Sequence, residues 1–415
     1  MLSKLKQLIS KIKGSKDGRT LIANFGYLSL LQVAGYIFPL ITLPYLARVI
    51  GAEGYGKIAF AAAIIVWFQT IADWGFNYTA TRDVAKNRDD KEKVSEIFSN
   101  VLWARILLML ISFVALMICV MAIPKLKENA DVIMISFLMI PGHIMFPDWF
   151  FQAMERMKYI TILNIISKTL FTIAMFLFIK EKQDYILQPL FTSLGFVISG
   201  IIAMYYILVK WQISLRFTSF KEIIKTIKSS TDVFINNLMP NLWNSFSTIL
   251  LNVLWGDVAT GIYDAGYKFS HIAYNVMGNL SRTFFPYLSR NNSKHNQYIK
   301  ISLTISISIS VLLFISAPIL INLFFTEEFN LAIGVLRILS LVVIANTLSS
   351  IWGTNYLLIK GYERLYRNIT MITSVISMTL AYPIVLNYSF IGKSWLMVIS
   401  NLLLGISCMI YAKKK

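Results

Sequence analysis

Long apolar stretches recur along this chain and are separated by short polar connections. An α-helix needs about 20 predominantly apolar residues to cross the hydrocarbon core of a bilayer. By that criterion the sequence predicts twelve transmembrane helices, at residues 21–47, 58–80, 99–123, 132–152, 159–179, 185–209, 231–255, 259–280, 299–324, 331–358, 368–387 and 390–412. We therefore predict an all-α polytopic membrane protein.

Basic residues are concentrated in alternate connections of this pattern. Of 39 Lys and Arg residues, 28 lie at the two termini and in or beside the even-numbered connections, whereas seven lie in or beside the odd-numbered ones. The other four are Arg105, Lys168, Lys268 and Arg337, inside predicted helices. Because Lys and Arg mark the cytoplasmic side of a membrane protein, we predict cytoplasmic termini and a multi-pass inner-membrane protein.

The middle of the chain is amphipathic and suggests a division into two halves. Within 217–228, phenylalanine and isoleucine side chains share one helical face and lysines share another, as in helices that lie on a membrane surface. We predict a cytoplasmic N-terminal segment (1–20), a six-helix lobe (21–209), a cytoplasmic amphipathic linker (210–230), a second six-helix lobe (231–412) and a basic tail (413–415). The substrate path would be a central cavity between the lobes.

The first helical hairpins of the two halves share one glycine spacing, which we call the glycine echo. Gly51 and Gly56 are five residues apart, as are Gly256 and Gly261. Two short matches are weak evidence for an internal repeat. If the repeat is real, the two lobes have the same orientation in the membrane.

Composition and the missing motifs narrow the function to transport. Hydrophobic residues make up 56% of the chain and charged residues 14%, and the mean hydropathy is +0.63. The net charge of +18 is spread over short loops, which favours contact with anionic lipids over nucleic acid. Cys119 and Cys408 lie mid-helix, where cysteine acts as an apolar filler. The sequence has no Walker loop, no zinc-binding His-Glu-x-x-His and no Asp-x-Asp, so we expect neither an enzyme nor a metal or other cofactor.

Polar residues inside the predicted helices are the candidate functional residues. A charge at the bilayer centre costs at least about 2.5–3.5 kcal/mol, so such residues usually face a cavity or a partner. On the eighth helix, six polar side chains follow at steps of 4, 3, 4, 4 and 3 and share one stripe: Asp264, Lys268, His271, Asn275, Asn279 and Arg282. The alternative is polar contact between helices, especially for the asparagines.

We infer a hydrated path that favours an anionic, hydroxyl-rich substrate, because basic groups outnumber acidic ones in it. The candidate cavity residues are Arg105, Lys168, Lys268, Arg337, His271, Asn237, Asn241, Asn244 and Asn275. The candidate ion-coupling carboxylates are Asp73, Asp148 and Asp264.

Three sequence blocks resemble a known family. Residues 43–57 read LPYLARVIGAEGYGK, residues 73–83 read DWGFNYTATRD, and residues 146–157 read FPDWFFQAMERM. These blocks resemble the Wzx-type flippases of polysaccharide biosynthesis, which include O-antigen transporters. That family is part of the multidrug/oligosaccharidyl-lipid/polysaccharide exporter superfamily. One departure is Ala153, where the family pattern has glycine.

The resemblance implies a flippase for undecaprenyl-pyrophosphate-linked oligosaccharide, working by alternating access from the cytoplasmic to the periplasmic leaflet. It also implies coupling to a proton or sodium gradient. Membrane lipids and the polysaccharide polymerase machinery are the implied partners. On this interpretation the four basic residues inside helices bind the pyrophosphate or acidic sugars, because Arg and Lys bind phosphate oxygens.

Two alternatives remain open. A cation-coupled exporter of small drugs has the same superfamily fold, although it would leave the deep basic residues unexplained. A scaffold or polymerase of polysaccharide assembly belongs to another class, and the short predicted external connections argue against a polymerase.

Overall fold

The computed structural model describes residues 16–290 and 294–414. Within these ranges, the side chains of residues 16–22, 25, 232, 236, 237, 239–242, 286 and 290 lie outside the description. Most of the predicted basic segment 1–20 also falls outside it, as does Lys415 of the predicted tail.

Every regular element in these ranges is helical. The α-helices are α1 (Lys16–Asp73), α2 (Phe76–Lys86), α3 (Lys91–Ala122), α4 (Pro124–Glu128), α5 (Ala130–Phe137), α6 (Met139–Met145), α7 (Asp148–Ala153), α8 (Met157–Phe178), α9 (Leu187–Tyr205), α10 (Phe220–Arg290), α11 (His295–Phe324), α12 (Ala332–Ser349) and α13 (Glu363–Lys413). Short π-helical turns follow α9 and α12, at Tyr206–Lys210 and Ser350–Leu358. The predicted all-α class is confirmed.

Nine segments of the described chain are long and apolar enough to cross a membrane. Three of them, Gly26–Lys86, Trp243–Ser289 and Glu363–Lys413, have 61, 47 and 51 residues, at least twice the length of one crossing. Within these three segments, the long helices α1, α10 and α13 each contain one residue with non-helical backbone angles: Gly51, Gly256 and Ser389 respectively. The chain is a multi-pass membrane protein, and the count of twelve helices stays a prediction.

The described chain packs as two compact units, neither of them continuous in sequence. The first unit holds the described residues up to Thr42, then Phe68–Lys180 and Ile186–Ile235. The second unit holds Leu43–Trp67, Glu181–Tyr185 and the described residues from Asn236 onward. The predicted lobes, 21–209 and 231–412, are continuous segments, and their boundaries stay a prediction.

In the first unit, the Phe146–Met157 block forms an aromatic core. Trp149, Phe150 and Phe151 are at most 1% exposed. The Phe98 ring of α3 lies 5.0 Å from the Phe150 ring, and the Trp211 ring lies 5.5 Å from the Phe151 ring, both edge-to-face. The block that carries the family resemblance is therefore a packing centre between α3, α7 and the end of the α9 segment.

The predicted amphipathic helix over 217–228 begins later than expected. Helix α10 starts at Phe220 and continues without a break through residue 230, so Phe217 precedes the helix and its side chain is 94% exposed. The residues before it, 212–219, form no regular secondary structure and contact α3. The Arg216 N–H donates to the Ser99 hydroxyl, and the Trp103 indole donates to the Arg216 carbonyl. These bonds to α3 replace the first helical turn.

In the second unit, two glycines have the same unusual backbone conformation. Gly51 has φ 66° and ψ −176°, and Gly256 has φ 80° and ψ −174°. This region of backbone space is essentially restricted to glycine. It interrupts two otherwise continuous helices at equivalent points of the glycine echo.

Five residues after each interruption, two helices touch backbone to backbone. A Cβ at Gly56 would collide with the Asp257 carbonyl, and a Cβ at Gly261 would collide with the Ala52 carbonyl. The contacts are reciprocal, since each glycine lies against the turn that begins the other helix. The glycine echo therefore has a physical cause, because only glycine permits this close crossing.

Candidate functional site

In the first unit, a buried ion pair joins α1 and α3. The Arg105 guanidinium is 3% exposed and donates to the Asp73 carboxylate, whose side chain is 21% exposed. Asp73 is the last residue of α1, and the next two residues, Trp74 and Gly75, have φ 41° and 78°. The Trp74 ring stacks on Phe234 at 3.8 Å. The helix break thus holds Asp73 at a defined position opposite Arg105.

Two more ionisable side chains interact electrostatically with this pair. His143 interacts electrostatically with Asp73, Arg105 and Asp148. The Asp148 carboxylate accepts a hydrogen bond of 2.8 Å from the Trp149 N–H at the start of α7. The first unit therefore brings together one guanidinium, two carboxylates and one imidazole.

The Arg105 guanidinium is only partly satisfied. Its Nε and second terminal nitrogen are buried without a hydrogen-bond partner among the described residues. Buried donors that lack a partner cost free energy, so this side chain can bind a further acceptor. The sequence analysis listed Arg105, Asp73 and Asp148 in two separate roles, and the structure places all three in one cluster. It missed His143, whose only sequence signal was that the chain has three histidines.

A second group of charges lies in the second unit. The Lys268 ammonium is 3.2 Å from the Asp264 carboxylate, one turn earlier on α10. The Tyr55 hydroxyl hydrogen-bonds to the same carboxylate. Lys268 is 43% exposed and Asp264 is 17% exposed. In this pair the Lys268 ammonium is therefore accessible to a ligand, whereas the Asp264 carboxylate is mostly buried.

Lys393 is a buried charge that the sequence analysis did not count among the basic residues inside helices. It was counted with the short connection beside the predicted helix 390–412, but α13 is interrupted only at Ser389 and Lys393 lies one turn further along the helix. Lys393 is 1% exposed. Its ammonium donates to the Thr248 hydroxyl and lies 4.0 Å from the centre of the Tyr263 ring. Lys393 was assigned to the connection because it lies near the end of a predicted helix, and hydropathy does not show whether a side chain there is buried.

The side chains of the four predicted cavity asparagines are only partly described. Asn244 hydrogen-bonds to Tyr267, and Asn275 lies 3.3 Å from the His271 ring nitrogen. Asn244 and His271 line a cavity of about 300 Å³. The side chains of the other two candidates, Asn237 and Asn241, lie outside the described residues.

Two of the predicted basic residues lie apart from both charge clusters. Lys168 is half-buried on α8, with its ammonium beside Gly35 of α1. Arg337 is exposed on α12, with its guanidinium 5.4 Å from the centre of the Phe314 ring. No ion pair of either residue with a carboxylate occurs in the described part of the chain. Their roles in binding stay predictions.

The Lys393 ammonium is expected to be dispensable for folding. Replacing a buried charge by an apolar side chain of similar size is often neutral or stabilising. The free energy of unfolding of Lys393→Met should therefore lie within about 1 kcal/mol of that of the unaltered chain. Lys393→Ala, which leaves a cavity, should lose about 2–5 kcal/mol. Thermal unfolding of the purified variants distinguishes the two. A Met variant as unstable as the Ala variant would show that the charge itself stabilises the unit.

Comparison with known sequences identifies related proteins. Residues 21–292 match the model of a family described as "Polysaccharide biosynthesis protein". A protein of Escherichia coli (strain K12) is 27% identical over 379 residues, which are 89% of this chain and 91% of the relative. A protein of Shigella dysenteriae is 26% identical over 399 residues, 94% of this chain and 98% of the relative. Both carry the name "Putative O-antigen transporter".

Comparison with solved structures identifies the fold. An inward-facing multidrug resistance MATE family transporter of the MOP superfamily aligns with a TM-score of 0.70 and 16% identity, over 94% of this chain and 97% of the other. The lipid II flippase MurJ, in an inward closed conformation, aligns with a TM-score of 0.68 and 16% identity, over 94% of this chain and 87% of the other. The chain shares the fold of these proteins.

Proposed function

Because this chain belongs to the polysaccharide biosynthesis protein family, we propose that it is a flippase for lipid-linked oligosaccharide. Its substrate is an undecaprenyl-pyrophosphate-linked repeat unit of O-antigen or a similar surface polysaccharide. It moves this substrate from the cytoplasmic to the periplasmic leaflet of the bacterial inner membrane by alternating access. The observation that carries the proposal is the alignment, over about nine tenths of both chains, with two relatives named as O-antigen transporters.

The proposed topology has twelve transmembrane helices in two six-helix lobes. Three of the nine long apolar segments are interrupted at Gly51, Gly256 and Ser389. If each of these three crosses the membrane twice, the described segments make twelve crossings. An even number places both termini on one side, and the distribution of Lys and Arg makes that side cytoplasmic.

The physical problem for such a substrate is its headgroup. Each buried polar group without a partner costs kilocalories in hydrocarbon, so a pyrophosphate and several sugars do not cross the bilayer core unaided. Arg105 has unpartnered donors, and Lys268 is accessible above Asp264. These two groups are suited to bind pyrophosphate oxygens, because phosphate and charged donors form strong hydrogen bonds.

Both basic groups already pair with a carboxylate, which suggests how binding is coupled to ions. When a pyrophosphate oxygen binds Arg105, Asp73 loses its cationic partner. Binding to Lys268 has the same effect on Asp264. A carboxylate without that partner binds a proton or a sodium ion more readily. Binding of the substrate to the basic group and binding of the ion to the freed carboxylate are thereby coupled. In addition, moving two negative charges out of an inside-negative cell releases about 4–5 kcal/mol per 100 mV.

The decisive experiment is deletion of the gene in its host, with surface polysaccharide resolved on a gel and lipid-linked intermediates extracted. We expect loss of the polymer and accumulation of undecaprenyl-linked repeat units on the cytoplasmic side. Plasmid expression of the chain should restore the polymer. Unchanged polysaccharide together with raised sensitivity to cationic dyes would instead indicate a drug exporter. Single, unpolymerised repeat units on lipid carriers at the periplasmic face would indicate a role in polymer assembly.

Within this assay, Lys268→Gln should reduce surface polysaccharide about tenfold or more, because the variant loses a charge-assisted bond of about 1.5–3 kcal/mol to the headgroup. The matched control is Lys300→Gln, since Lys300 is an exposed lysine of the same unit. The control should export normally. Equal amounts of both proteins in the membrane, measured by immunoblot, are needed for the comparison. Normal polymer with Lys268→Gln would remove Lys268 from the substrate path.

A further inference from the structure

The cavity of about 300 Å³ in the second unit has a distinct chemistry. It is bounded by α10, α12 and both halves of α13. Its lining within the described chain consists of serine and threonine hydroxyls, asparagine amides, aromatic rings, His271 and a few apolar side chains, with no Asp, Glu, Lys or Arg. Its volume is at the lower end of the range for small-molecule sites, which is enough for part of a glycan and too little for a whole repeat unit.

Several of the hydroxyl and amide groups that line this cavity donate a hydrogen to a carbonyl of their own helix. Thr373 donates to the Ile369 carbonyl at 2.9 Å, and Ser377 donates to the Thr373 carbonyl at 2.7 Å. Asn401 donates an amide hydrogen to the Met397 carbonyl at 2.8 Å. A hydroxyl that donates in this way still has oxygen lone pairs. Thr373 and Ser377 therefore offer acceptors to a ligand, and Asn401 keeps a second amide hydrogen that can donate.

One further group in the cavity has no partner at all. The Ser400 hydroxyl is buried, 4% exposed as a residue, and makes no hydrogen bond in the described chain. A buried polar group of this kind usually has a partner. A ligand hydroxyl in the cavity would supply one.

Aromatic rings complete the lining. Trp243, Tyr267 and Tyr274 all contribute to the wall and are half-buried. A sugar ring has apolar C–H faces and an equator of hydroxyl donors. The C–H faces pack on aromatic rings, and the hydroxyls donate to oxygen acceptors. An anion would lose its hydration on entering and would find no Lys or Arg among the described lining residues to compensate its charge.

We propose that this cavity binds a neutral, hydroxyl-rich sugar ring of the transported glycan and excludes acidic sugars and the pyrophosphate. The inference rests on the proposed function, since it assigns one part of that substrate to a site in the second unit. It separates two recognition tasks. The charged groups Arg105 and Lys268 bind the headgroup, and the cavity selects the sugar.

The test uses the full chain in phospholipid nanodiscs, prepared without sugar-based detergents because these would occupy the site. Tryptophan fluorescence reports on ligand through Trp243. The probes are neutral methyl hexosides and methyl N-acetylhexosaminides, compared with methyl glucuronide. We expect saturable quenching by at least one neutral probe and binding at least about tenfold weaker for the glucuronide. Trp243→Phe should abolish most of the signal.

Two variants on one helix provide the matched comparison. Thr373→Val keeps the shape of the side chain and removes its oxygen, so neutral-probe binding should weaken about fivefold, as for one lost hydrogen bond. Thr379→Val makes the same change at an exposed position of α13 and should bind normally. Monodisperse elution of both variants shows that they fold.

The outcomes separate this inference from the proposed function. Glucuronide binding as tight as neutral-probe binding, absence of any saturable signal, or equal binding by both valine variants would overturn the sugar site. If the gene deletion still traps lipid-linked intermediates, the flippase proposal stands in each of those cases. If the deletion leaves the polymer unchanged, the flippase proposal falls, and neutral-sugar binding by the nanodiscs no longer identifies a part of its substrate.

Discussion

Alanine at Gly56 or Gly261 is expected to prevent the protein from accumulating in the membrane. At both positions the added Cβ meets a backbone carbonyl of the crossing helix, Asp257 in one case and Ala52 in the other. A side chain can rotate away from such a clash, but a helix backbone cannot. Overpacking usually costs about 1–3 kcal/mol and occasionally more. Here we expect at least about 3 kcal/mol, because two helices must separate.

Gly278→Ala is the matched control for this prediction. Gly278 lies on α10, the same helix as Gly261, and a Cβ there has no neighbour within 4 Å. Alanine in a helix interior is favoured over glycine by about 0.5–1 kcal/mol, so this variant should be as stable as the unaltered chain or slightly more stable. Membrane protein level and thermal unfolding should be measured for all three variants. Equal stability of Gly56→Ala and Gly278→Ala would contradict the close crossing.

Asp73→Asn is expected to have the second largest effect on stability. It removes the carboxylate that pairs with Arg105, whose guanidinium is 3% exposed, and leaves that buried guanidinium without its ion-pair partner. Breaking a buried ion pair in this way costs about 3–5 kcal/mol. Because the Asp73 side chain retains 21% exposure, we expect the lower end of that range. The measurement is thermal unfolding of the purified variant.

A double-mutant cycle distinguishes lost pairing from general damage. Asp73→Asn with Arg105→Met removes both charges, so the double variant should be more stable than Asp73→Asn alone. The control is Asp83→Asn, since Asp83 pairs with Arg82 at the surface with side chains 44% and 60% exposed. Surface pairs contribute about 0–1 kcal/mol. A double variant that is no more stable than the single one would argue against a dominant Arg105–Asp73 pair.

The helical architecture could be predicted because the bilayer imposes it. Backbone groups in hydrocarbon must bond to one another, so a long apolar run predicts a helix with little ambiguity. The glycine echo was also visible in the sequence, although its meaning was not. The spacing from Gly51 to Gly56 matched that from Gly256 to Gly261. Only the structure shows that Gly56 and Gly261 lie at the same crossing.

The candidate site was harder to predict, because side-chain partners are set by packing between helices. The stripe on α10 correctly placed Lys268 beside Asp264, since residues four apart on a helix are neighbours. The pairing of Arg105 with Asp73 joins residues 32 positions apart, and no periodicity within either helix indicates it. Lys393 was missed because its depth depends on where α13 resumes after Ser389.

By itself, the sequence determined that the chain is helical, that it belongs in a membrane, and that several polar residues lie within apolar segments. These properties follow from local hydrophobicity and from the backbone's need for hydrogen bonds, which act along a single helix. The tertiary structure alone decided which charges pair, which basic residue is fully buried, and which hydroxyls surround a cavity. Those outcomes depend on contacts between distant segments, whose geometry is set by close helix packing at positions such as Gly56 and Gly261.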